Sequence, residues 1–522
     1  MNIWLVSMEC AGLAEAGGVK NVTYSLCKTL SYLGNEVTLF IPVYACSSFD
    51  EVEDYNTKNW TSADVLIGHN LERVVFTTGR LKGTKVKIVF VNHPSFSEKQ
   101  AVYVYTQDEE IQNPDHKRGN GHVDMLFLDA LLSKAVAAYG SLIQKSEIPD
   151  IIHSQDASCA VIPSYIAQHR DVFFKTKTVV TIHNAGPAYH HEYSDLNQAK
   201  YYTSLPEEIL FKAFNGNRIE PFLLAAMDGT LSTVSDYYAQ ELVSPSFNNE
   251  TDGLSRIFYE RGIKITGITN GIDYDRYNPL DTEVSLLPFA MSPIDGDLEG
   301  KVKNRNFMVE LCTPDFQFTQ KHLDYLNSVQ GFGFLKNDDN AVYFMYHGRI
   351  VWQKGISILI PAVRKILATR PNAYFIIEGQ GDINYENQLI SLSKEFPGRI
   401  VYFLGYNRAL SRLCAAASDF ALFPSFFEPC GLEDLIAQIY GTIPLAHATG
   451  GLQKIIDGKT GFLYKDNTEE ILVKNINRLI DMKMNENDVL VEIVKNAAKT
   501  VKEEFDWVQV VQKKYLKFFE NI

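Results

Sequence analysis

The stretch SFFEPCGLEDLIAQIYGTIPLAHATGGL, residues 425–452, decides the fold of this chain. It follows the apolar run DFALFP at 419–424, which is typical of a buried parallel strand. Glu428 is therefore expected at the carboxyl end of that strand, and Cys430 begins a predicted helix. The start of a helix has unpaired backbone N–H groups and the positive end of the helix dipole, which favour a phosphate.

The TGGL segment at the end of the same stretch predicts a second anion-binding turn. Its glycines, Gly450 and Gly451, follow Thr449 and allow the backbone to approach a ligand closely. One acid for hydroxyl groups and two sets of amides for phosphates indicate a nucleotide-sugar site. An ordinary strand–loop–helix crossover remains the alternative for the EPCGL segment alone, because short motifs also occur by chance.

Length and hydrophobic pattern predict two α/β domains. A chain of 522 residues is too long for a single hydrophobic core. Short apolar runs alternate with amphipathic stretches throughout, which is typical of parallel sheets connected by helices. We expect a first domain at residues 1–272 and a second at 273–504, followed by an amphipathic helix at about 505–522.

Composition and charge exclude several classes of protein. The chain has 46% hydrophobic and 21% charged residues, as expected for a soluble globular protein. Its formal net charge of -14 argues against a nucleic-acid partner, whose phosphates require a basic surface. The N-terminal run lacks the basic region of a signal peptide, and no apolar stretch of about 18 residues predicts a membrane span. Seven cysteines without a CxxC pair favour reduced thiols and a cytoplasmic location.

Several motifs occur in an order that resembles one known family. They are FEPCGL, YGTIPL and TGGL within 425–452, together with THN-like TIHN at 181–184, TVSDYYA at 233–239, GITNGID at 267–273 followed by YNP at 277–279, and GR at 348–349 followed by QKG at 353–355. In this order they resemble the glycogen and starch synthases, which are retaining glucosyltransferases of the GT-B fold. The resemblance extends from the first strand to about residue 463.

The resemblance implies the fold and the place of the site. Two doubly wound, Rossmann-like domains would face each other across a cleft, and the C-terminal helix at about 505–522 would pack back on the first domain. In such sheets ligands bind where the order of the strands reverses. The first domain would lie on the acceptor side, and the second would bind the nucleotide sugar.

Two cations are expected to stabilise the departing diphosphate. Arg349 follows a predicted strand and Lys354 precedes a predicted helix, so both belong to one loop together with Gly348. Arginine offers a planar fork to phosphate oxygens, and lysine offers a compact charge. The resemblance implies that these residues are the diphosphate-binding pair. With two fixed cations no metal is required, and the sequence contains no HExxH motif or clustered aspartate pair.

Glu428 has two possible roles. In an ordinary glycosidase it would act as an acid or a nucleophile with a second carboxylate. The resemblance implies that it binds the hydroxyl groups of the donor glucose, which we favour because a diphosphate leaving group needs no strong acid. Tyr406 would stack on the donor base, or would be an ordinary core or surface tyrosine. Cys430 is expected to pack beside the site rather than to act as a nucleophile.

The first domain departs from the family pattern. The family loop KxGGLxDV appears here as EAGGVKNV, so Gly17 and Gly18 are retained, whereas Glu15 replaces the usual lysine and Asn21 the acid. A carboxylate beside a diphosphate is repulsive unless it points away, and Lys20 is a candidate to compensate. We expect the two glycines to contribute amides near the donor phosphates.

The remaining site residues follow later strands of the first domain. Gln155 lies where relatives have a histidine or an amide, and it can hydrogen-bond a sugar hydroxyl or be a satisfied loop-end amide. His183 and Asn184 fit a sugar-positioning role. Asp124 is either an acid on the acceptor side or a charge at a helix N-terminus.

The sequence therefore predicts a glycogen or starch synthase-like enzyme that transfers α-glucose from ADP-glucose, or UDP-glucose, to the non-reducing end of an α-1,4-glucan. The alternatives are a related GT-B enzyme with another sugar donor or acceptor, and a non-catalytic binding relative. The resemblance to bacterial synthases favours ADP-glucose as the donor. The predicted residues are, for catalysis, Glu428, Arg349, Lys354, His183 and Gln155; for donor binding, Gly17, Gly18, Gly348, Tyr406, Cys430, Gly431, Leu432, Thr449, Gly450 and Gly451; and on the acceptor side, Asp124 and Asn184.

Overall fold

The computed structural model describes residues 1–313 and 317–522, which form two compact units. The first unit comprises Met1–Thr269 together with Trp507–Ile522, and the second comprises Asn270–Asp506. The boundary expected after residue 272 lies close to the observed one after Thr269. Within the described ranges, no helix is both long enough and apolar enough to cross a membrane.

The first unit contains a nine-stranded sheet and a short two-stranded one. Its strands are β1 Asn2–Val6, β2 Glu36–Pro42, β3 Val52–Ile67, β4 Asn70–Leu81, β5 Lys87–Asn92, β6 Ile151–Gln155, β7 Lys177–Ile182, β8 Phe214–Asn215, β9 Arg218–Ile219, β10 Thr230–Thr233 and β11 Ile265–Gly267. The order in the large sheet is β11-β10-β7-β6-β1-β2-β5-β4-β3. All neighbours in this sheet are parallel except β4 with β5 and β3 with β4, which form an antiparallel edge.

Helices connect the parallel strands of the first unit. They are α1 Val19–Tyr32, α2 Pro94–Ser97, α3 Gln107–Gln112, α4 Met125–Gly140, α5 Ile162–Gln168, α6 Leu196–Thr203, α7 Glu207–Leu210, α8 Pro221–Asp228, α9 Asp236–Leu242 and α10 Leu254–Glu260. The strand β1 is apolar because it is covered on both faces, as is usual in a parallel sheet. Trp4 of β1 packs against the rings of Phe40, Tyr139 and Phe173.

The second unit contains a seven-stranded sheet. Its strands are β12 Val329–Leu335, β13 Val342–His347, β14 Ala373–Gly379, β15 Arg399–Gly405, β16 Phe420–Phe423, β17 Ile443–His447 and β18 Phe462–Tyr464. The order is β12-β15-β14-β13-β16-β17-β18, and only the edge strand β12 is antiparallel to its neighbour. Its helices are α11 Thr282–Ser285, α12 Glu299–Cys312, α13 Gln320–Leu326, α14 Ile356–Thr369, α15 Ile383–Glu395, α16 Arg408–Ala417, α17 Glu433–Ile439, α18 Glu469–Asn485 and α19 Asn487–Thr500.

The C-terminal segment belongs to the first unit and is helical. Helices α20 Trp507–Val510 and α21 Leu516–Asn521 flank a π-helical turn at Val511–Tyr515. The rings of Tyr515 and Phe519 lie 5.8 and 5.6 Å from the ring of His153 on β6. The segment therefore packs directly on a strand of the first sheet.

In each unit the order of the strands reverses once. In the first unit the chain proceeds from β1 through β2 to β5 on one side, and from β6 through β7 to β10 on the other. In the second unit β13, β14 and β15 lie on one side, and β16, β17 and β18 on the other. The predicted doubly wound α/β architecture is thus confirmed in each unit, and it places two switch points, between β1 and β6 and between β13 and β16.

The core of the second unit supports its switch point, so we expect core truncations there to be costly. Leu445 on β17 is fully buried within the cluster that also covers β13 and β16. Leu445→Ala should reduce the free energy of unfolding by about 2–5 kcal/mol, because it removes apolar contacts and leaves a cavity. Chemical denaturation measures this, with Leu323→Ala, at a leucine that is 47% exposed, as the matched control. Equal effects of the two substitutions would contradict the placement of Leu445.

Candidate functional site

The predicted site residues of the second unit lie on two loops at its switch point. Residues 348–355 follow β13, and residues 424–432 follow β16. In doubly wound sheets this is where ligands bind. The Phe426 N–H donates to the carbonyl oxygen of Gln353 (2.9 Å), and the side-chain amide of Gln353 donates to the carbonyl oxygen of Phe427 (3.2 Å). These hydrogen bonds join the two loops into one framework.

Two glycines of the first loop are required by its backbone. Gly355 has a φ of +73°, and a Cβ atom there would lie 1.8 Å from the carbonyl oxygen of Pro424 on the second loop. Gly348 has a φ of +145°, and its N–H donates to the carbonyl oxygen of Glu378 (3.2 Å). Only glycine adopts such conformations without strain. The glycine of QKG is therefore required by the close approach of the two loops, and the glycine of GR by its backbone conformation.

The three charged residues predicted from the motifs lie on this framework. The ammonium group of Lys354 contacts the carboxylate of Glu428, to which the Ser425 hydroxyl also donates (3.3 Å). Arg349 is exposed and donates to the side-chain oxygen of Gln353 (3.2 Å). The site thus combines one exposed guanidinium group with a lysine and a glutamate that neutralise each other. A bound phosphate can attract both cations and release the carboxylate for hydroxyl groups.

A buried lysine joins the two anion-binding segments. The Lys454 ammonium donates to the carbonyl oxygens of Cys430 (2.9 Å), Gly431 (2.7 Å) and Gly451 (3.0 Å), and to the carboxylate of Asp434 (2.8 Å). Burial raises the pKa of Asp434 to about 6, although the charge of Lys454 acts in the opposite direction. Lys454 was not among the predicted residues. It holds the EPCGL and TGGL segments together through their carbonyl groups.

The TGGL turn supports the loop that carries Glu428. The Gly451 N–H donates to the carbonyl oxygen of Glu428 (2.8 Å), and a Cβ atom on Gly451 would lie 1.9 Å from the carbonyl oxygen of Cys430. The hydroxyl group of Thr449 donates to the carbonyl oxygen of Phe426 (3.3 Å). The amide of Gly451, predicted to bind the donor, is therefore engaged within the protein. Its role here is to position Glu428.

The other predicted donor residues of this region lie beside the same loops. Gly450 begins a short 3-10 helix, Gly450–Lys454, and Leu432 directly precedes α17. Gly431 has a φ of +70°. Burial raises the pKa of the Cys430 thiol to about 11, so this side chain remains a neutral thiol. A neutral, buried thiol is not an activated nucleophile.

Tyr406 lies beside a charged histidine that the sequence reasoning missed. The ring of Tyr406, which is 55% exposed, is centred 6.0 Å from the ring of His347 at the end of β13. His347 contacts the carboxylates of Glu378 (3.1 Å) and Glu433 (3.6 Å). Burial alone would lower the pKa of His347, but Glu433 and Glu378 raise it to about 9. The histidine is therefore a cation at neutral pH, at the same end of the sheet as Arg349.

In the first unit, Glu9 occupies the glycine loop after β1. Its buried carboxylate accepts hydrogen bonds from the N–H groups of Ala16 (3.0 Å) and Gly17 (2.6 Å). Burial raises the pKa of Glu9, while these hydrogen bonds lower it. Gly18 directly precedes α1. The amide of Gly17, predicted to lie near the donor phosphates, is thus bonded to Glu9. Glu9 lies just after the first strand, and this position could have identified it from the sequence as a residue of the loop.

Glu15, which replaces the usual lysine of the family loop, is paired. It contacts the Lys20 ammonium (2.8 Å) and accepts a hydrogen bond from the Gly12 N–H (2.8 Å). The compensation expected from Lys20 therefore takes the form of a direct ion pair. Asn21 is an exposed residue of α1. The loop consequently carries no uncompensated carboxylate at Glu15.

Two predicted residues, Gln155 and His183, come together at the first switch point. The His183 Nε2 atom lies 2.8 Å from the side-chain oxygen of Gln155, and burial lowers the pKa of His183 to about 4. His183 is thus neutral and can donate to Gln155. Burial raises the pKa of the adjacent Asp156 to about 7. The side-chain oxygen of Asn184 accepts a hydrogen bond from Gly186 (2.8 Å), so Asn184 shapes the loop.

Two further carboxylates of the first unit, Asp124 and Asp129, are each paired with a basic side chain. Asp124 directly precedes α4 and contacts Lys99 (2.8 Å), but its side chain makes no hydrogen bond to the first turn of the helix. Asp129, buried on α4, lies 2.6 Å from the Nδ1 atom of His191. This second pair was also missed by the sequence reasoning, since its members are far apart in the chain. Asp124 carries a balanced charge at a helix start, which was one of its two expected roles.

One group in the described ranges brings together three metal-type ligands, His190, Glu192 and Glu220. His190 lies 2.9 Å from Glu220, whereas Arg218 contacts Glu192 (2.6 Å) and Asn215 donates to it (2.9 Å). Burial alone would lower the pKa of His190, but the neighbouring carboxylates stabilise the charged imidazole and raise its pKa to about 9. His190 and Arg218 therefore neutralise Glu220 and Glu192 in an ion-pair network whose arginine is partly exposed.

Comparisons with known proteins agree with this architecture. The family model described as starch synthase catalytic domain matches residues 2–257, and the model described as glycosyl transferases group 1 matches residues 332–500. Glycogen synthase of Thermodesulfovibrio yellowstonii is 28% identical over 100% of this chain and 98% of its own length. Glycogen synthase 1 of Synechocystis sp. is 30% identical over 87% of this chain and 80% of its own.

One solved structure adds a likeness in fold. The catalytic domain of starch synthase IV from Arabidopsis thaliana, bound to ADP and acarbose, superposes with a TM-score of 0.78. It covers 100% of this chain and 99% of that one at 23% sequence identity. At that identity the likeness shows the two-domain GT-B fold, as predicted from the motifs.

The contacts of Lys454 predict a large loss of stability when it is replaced. Lys454→Met leaves the Asp434 carboxylate buried without its counter-charge and three carbonyl groups without their donor. Breaking such a buried pair costs about 3–5 kcal/mol of the free energy of unfolding. Chemical denaturation measures this, with the exposed Lys459→Met as the matched control.

The double substitution Lys454→Met with Asp434→Leu removes both buried charges. It should recover part of the stability that Lys454→Met loses, because no uncompensated carboxylate remains. A double variant that is as unstable as Lys454→Met, or a single variant as stable as the original protein, would contradict the account of this pair.

The carboxylates around His347 predict a dependence of stability on pH. Its folded-state pKa, about 9, lies above the ordinary value of 6.5. The stabilisation is therefore complete below about pH 6.5 and is lost as the pH rises through about 9. The difference in Tm between the original protein and His347→Gln should shrink between about pH 6 and pH 10. The exposed His169→Gln is the matched control. A constant difference for His347→Gln would contradict the charge assignment.

Proposed function

The chain belongs to the glycogen and starch synthase family of glycosyltransferases, and we propose that it transfers α-glucose from ADP-glucose to the non-reducing end of an α-1,4-glucan with retention of configuration. The observation that carries this proposal is the meeting of Arg349, Lys354 and Glu428 at the switch point of the second unit. Two cations and one carboxylate in that place fit a sugar joined to a diphosphate.

The two cations would stabilise the leaving group. As the bond between glucose and diphosphate breaks, negative charge grows on the phosphate oxygens. Arg349 is exposed to receive them, and Lys354 is held beside Glu428 until a phosphate competes for its charge. Fixed donors of this kind are worth roughly 3–4 kcal/mol each in a transition state. Because these cations supply the charge, the proposed reaction requires no metal.

Glu428 would hold the donor glucose. Its backbone is fixed by the Gly451 amide, and its carboxylate is reached by Ser425 and Lys354. When the phosphates draw Lys354 away, the carboxylate can accept hydrogen bonds from sugar hydroxyls and stabilise positive charge at the anomeric carbon. The acceptor hydroxyl would attack the anomeric carbon from the side of the leaving group, which retains the α configuration. The departing phosphate would take the proton of that hydroxyl.

The choice of donor and acceptor rests on relatives. The solved starch synthase IV domain was bound to ADP and acarbose, which supports an adenine nucleotide and an oligosaccharide here. Tyr406, exposed beside His347, is the proposed stacking surface for the base. All seven cysteines are free thiols in the structure, and we include a cytoplasmic location in the proposal. In the first unit, Gln155 and His183 are the proposed residues for binding sugar hydroxyls.

A related transferase with another sugar donor or acceptor is the second candidate. The observation that favours it is the Glu15–Lys20 pair, which stands where the family motif supplies a lysine. A panel of nucleotide sugars, tested with the same acceptor, separates the two candidates.

The proposal predicts glucan extension that depends on the switch-point charges. Purified protein incubated with glycogen and ADP-glucose should release ADP and lengthen the glucan. Glu428→Ala and Lys354→Ala should each lower kcat by about 10²–10³-fold, because each removes a group that acts in the transition state. Lys459→Ala, at an exposed lysine, is the matched control. Normal turnover by either site variant, or no turnover of any nucleotide sugar by the original protein, would contradict the proposal.

A further inference from the structure

The loop that carries the two cations of the site also carries an exposed tryptophan. Trp352 lies in the loop between Arg349 and Lys354 and is 60% exposed. Its indole is stacked on the ring of Phe426, with centroids 4.6 Å apart and planes inclined by 12°. One face of the indole is thus covered, and the side chain still exposes most of its surface. The outer face of the indole is left as a flat aromatic surface supported from below by Phe426, and we call this ring pair the aromatic platform.

The backbone on both sides of the aromatic platform is held in place. The Gly355 N–H donates to the Trp352 carbonyl oxygen (2.8 Å), and the Lys354 N–H donates to the Val351 carbonyl oxygen (3.1 Å). The Phe426 N–H donates to Gln353, the residue next to Trp352 (2.9 Å). A tryptophan on a fixed backbone, stacked on a second ring, loses little conformational freedom when it binds a ligand.

The position of the aromatic platform restricts what it can bind. Trp352 is two residues from Lys354, and Phe426 is two residues from Glu428, so the platform lies on the same two loops as the charged pair. The platform itself presents ring carbons and one indole N–H. A ligand that covers it must offer a flat apolar face with polar groups at its edge.

We propose that the aromatic platform of Trp352 and Phe426 binds the α-glucan acceptor by stacking on one of its glucosyl rings. This inference rests on the proposed function. A pyranose ring has C–H groups on its faces and hydroxyl groups on its rim, which matches the surface. The donor base is assigned to Tyr406, which follows β15 and lies beside His347, whereas Trp352 lies in the loop after β13. The donor glucose is assigned to Glu428, so the acceptor is the ligand that remains for the platform.

Steady-state kinetics test the proposal with a matched pair of variants. Trp60 on the edge strand β3 is 55% exposed and provides the control. Trp352→Ala should raise the KM for maltoheptaose about tenfold, as expected for the loss of one aromatic stacking contact, with the KM for ADP-glucose unchanged. Trp60→Ala should change neither constant. A KM for maltoheptaose that Trp352→Ala leaves unchanged in an active enzyme would overturn the proposal.

Fluorescence quenching tests binding without turnover. The chain has four tryptophans, and Trp4 and Trp507 are buried at 2% and 5% exposure. In the variant Trp60→Phe, the accessible indole is therefore Trp352. Maltoheptaose should protect it from quenching by acrylamide, and the further substitution Trp352→Phe should abolish the protected signal. Protection by ADP in place of maltoheptaose would overturn the assignment to the acceptor.

The two readouts distinguish the inference from the proposed function. If the original protein transfers no glucose from any nucleotide sugar, the proposed function fails. The quenching titration still shows whether the platform binds maltoheptaose, because protection of Trp352 by this ligand requires no donor. Transfer of glucose without protection of Trp352 by maltoheptaose would overturn the proposal for the platform and leave the proposed function standing.

Discussion

The buried ammonium group of Lys454 is the contact on which the second unit's site depends. It donates to the carbonyl groups of the EPCGL and TGGL segments and neutralises Asp434. The Gly451 amide then fixes the backbone of Glu428, and Glu428 meets Lys354 from the neighbouring loop. A chain of short contacts thus connects a buried ion pair to the charges that would hold a nucleotide sugar. Removing the first contact should disturb all of the later ones.

Much of this arrangement could be predicted from the sequence. The apolar strands, the glycines of GR and QKG and the placement of Arg349, Lys354 and Glu428 follow from local patterns, because each lies within a few residues of a strand end. The alternation of apolar and amphipathic segments predicted two α/β domains, and the resemblance of the ordered motifs to a known family implied that both are doubly wound. The rule that ligands bind where strand order reverses then placed the site before any contact was known.

The remainder depends on contacts between distant residues. Lys454 reaches Cys430 across 24 positions, and Asp129 reaches His191 across 62. Neither pair leaves a periodic or motif signal. The antiparallel edge formed by β3 and β4 was also missed, since β3 is largely exposed and has no continuous apolar run. The glycine loop after β1 was predicted to bind an anion, but in the structure the Ala16 and Gly17 N–H groups donate to the carboxylate of Glu9. Local sequence patterns identify the residues at the end of a strand, but they do not show which distant side chain contacts those residues.

A crystal structure with ADP bound would show directly which groups of the protein hold the diphosphate. We expect the diphosphate to contact both Arg349 and Lys354, and the Lys354 ammonium to leave the carboxylate of Glu428. The adenine ring should lie on Tyr406. ADP bound away from the loops after β13 and β16, or bound there with Lys354 still paired to Glu428 and no cation on the phosphates, would contradict the account.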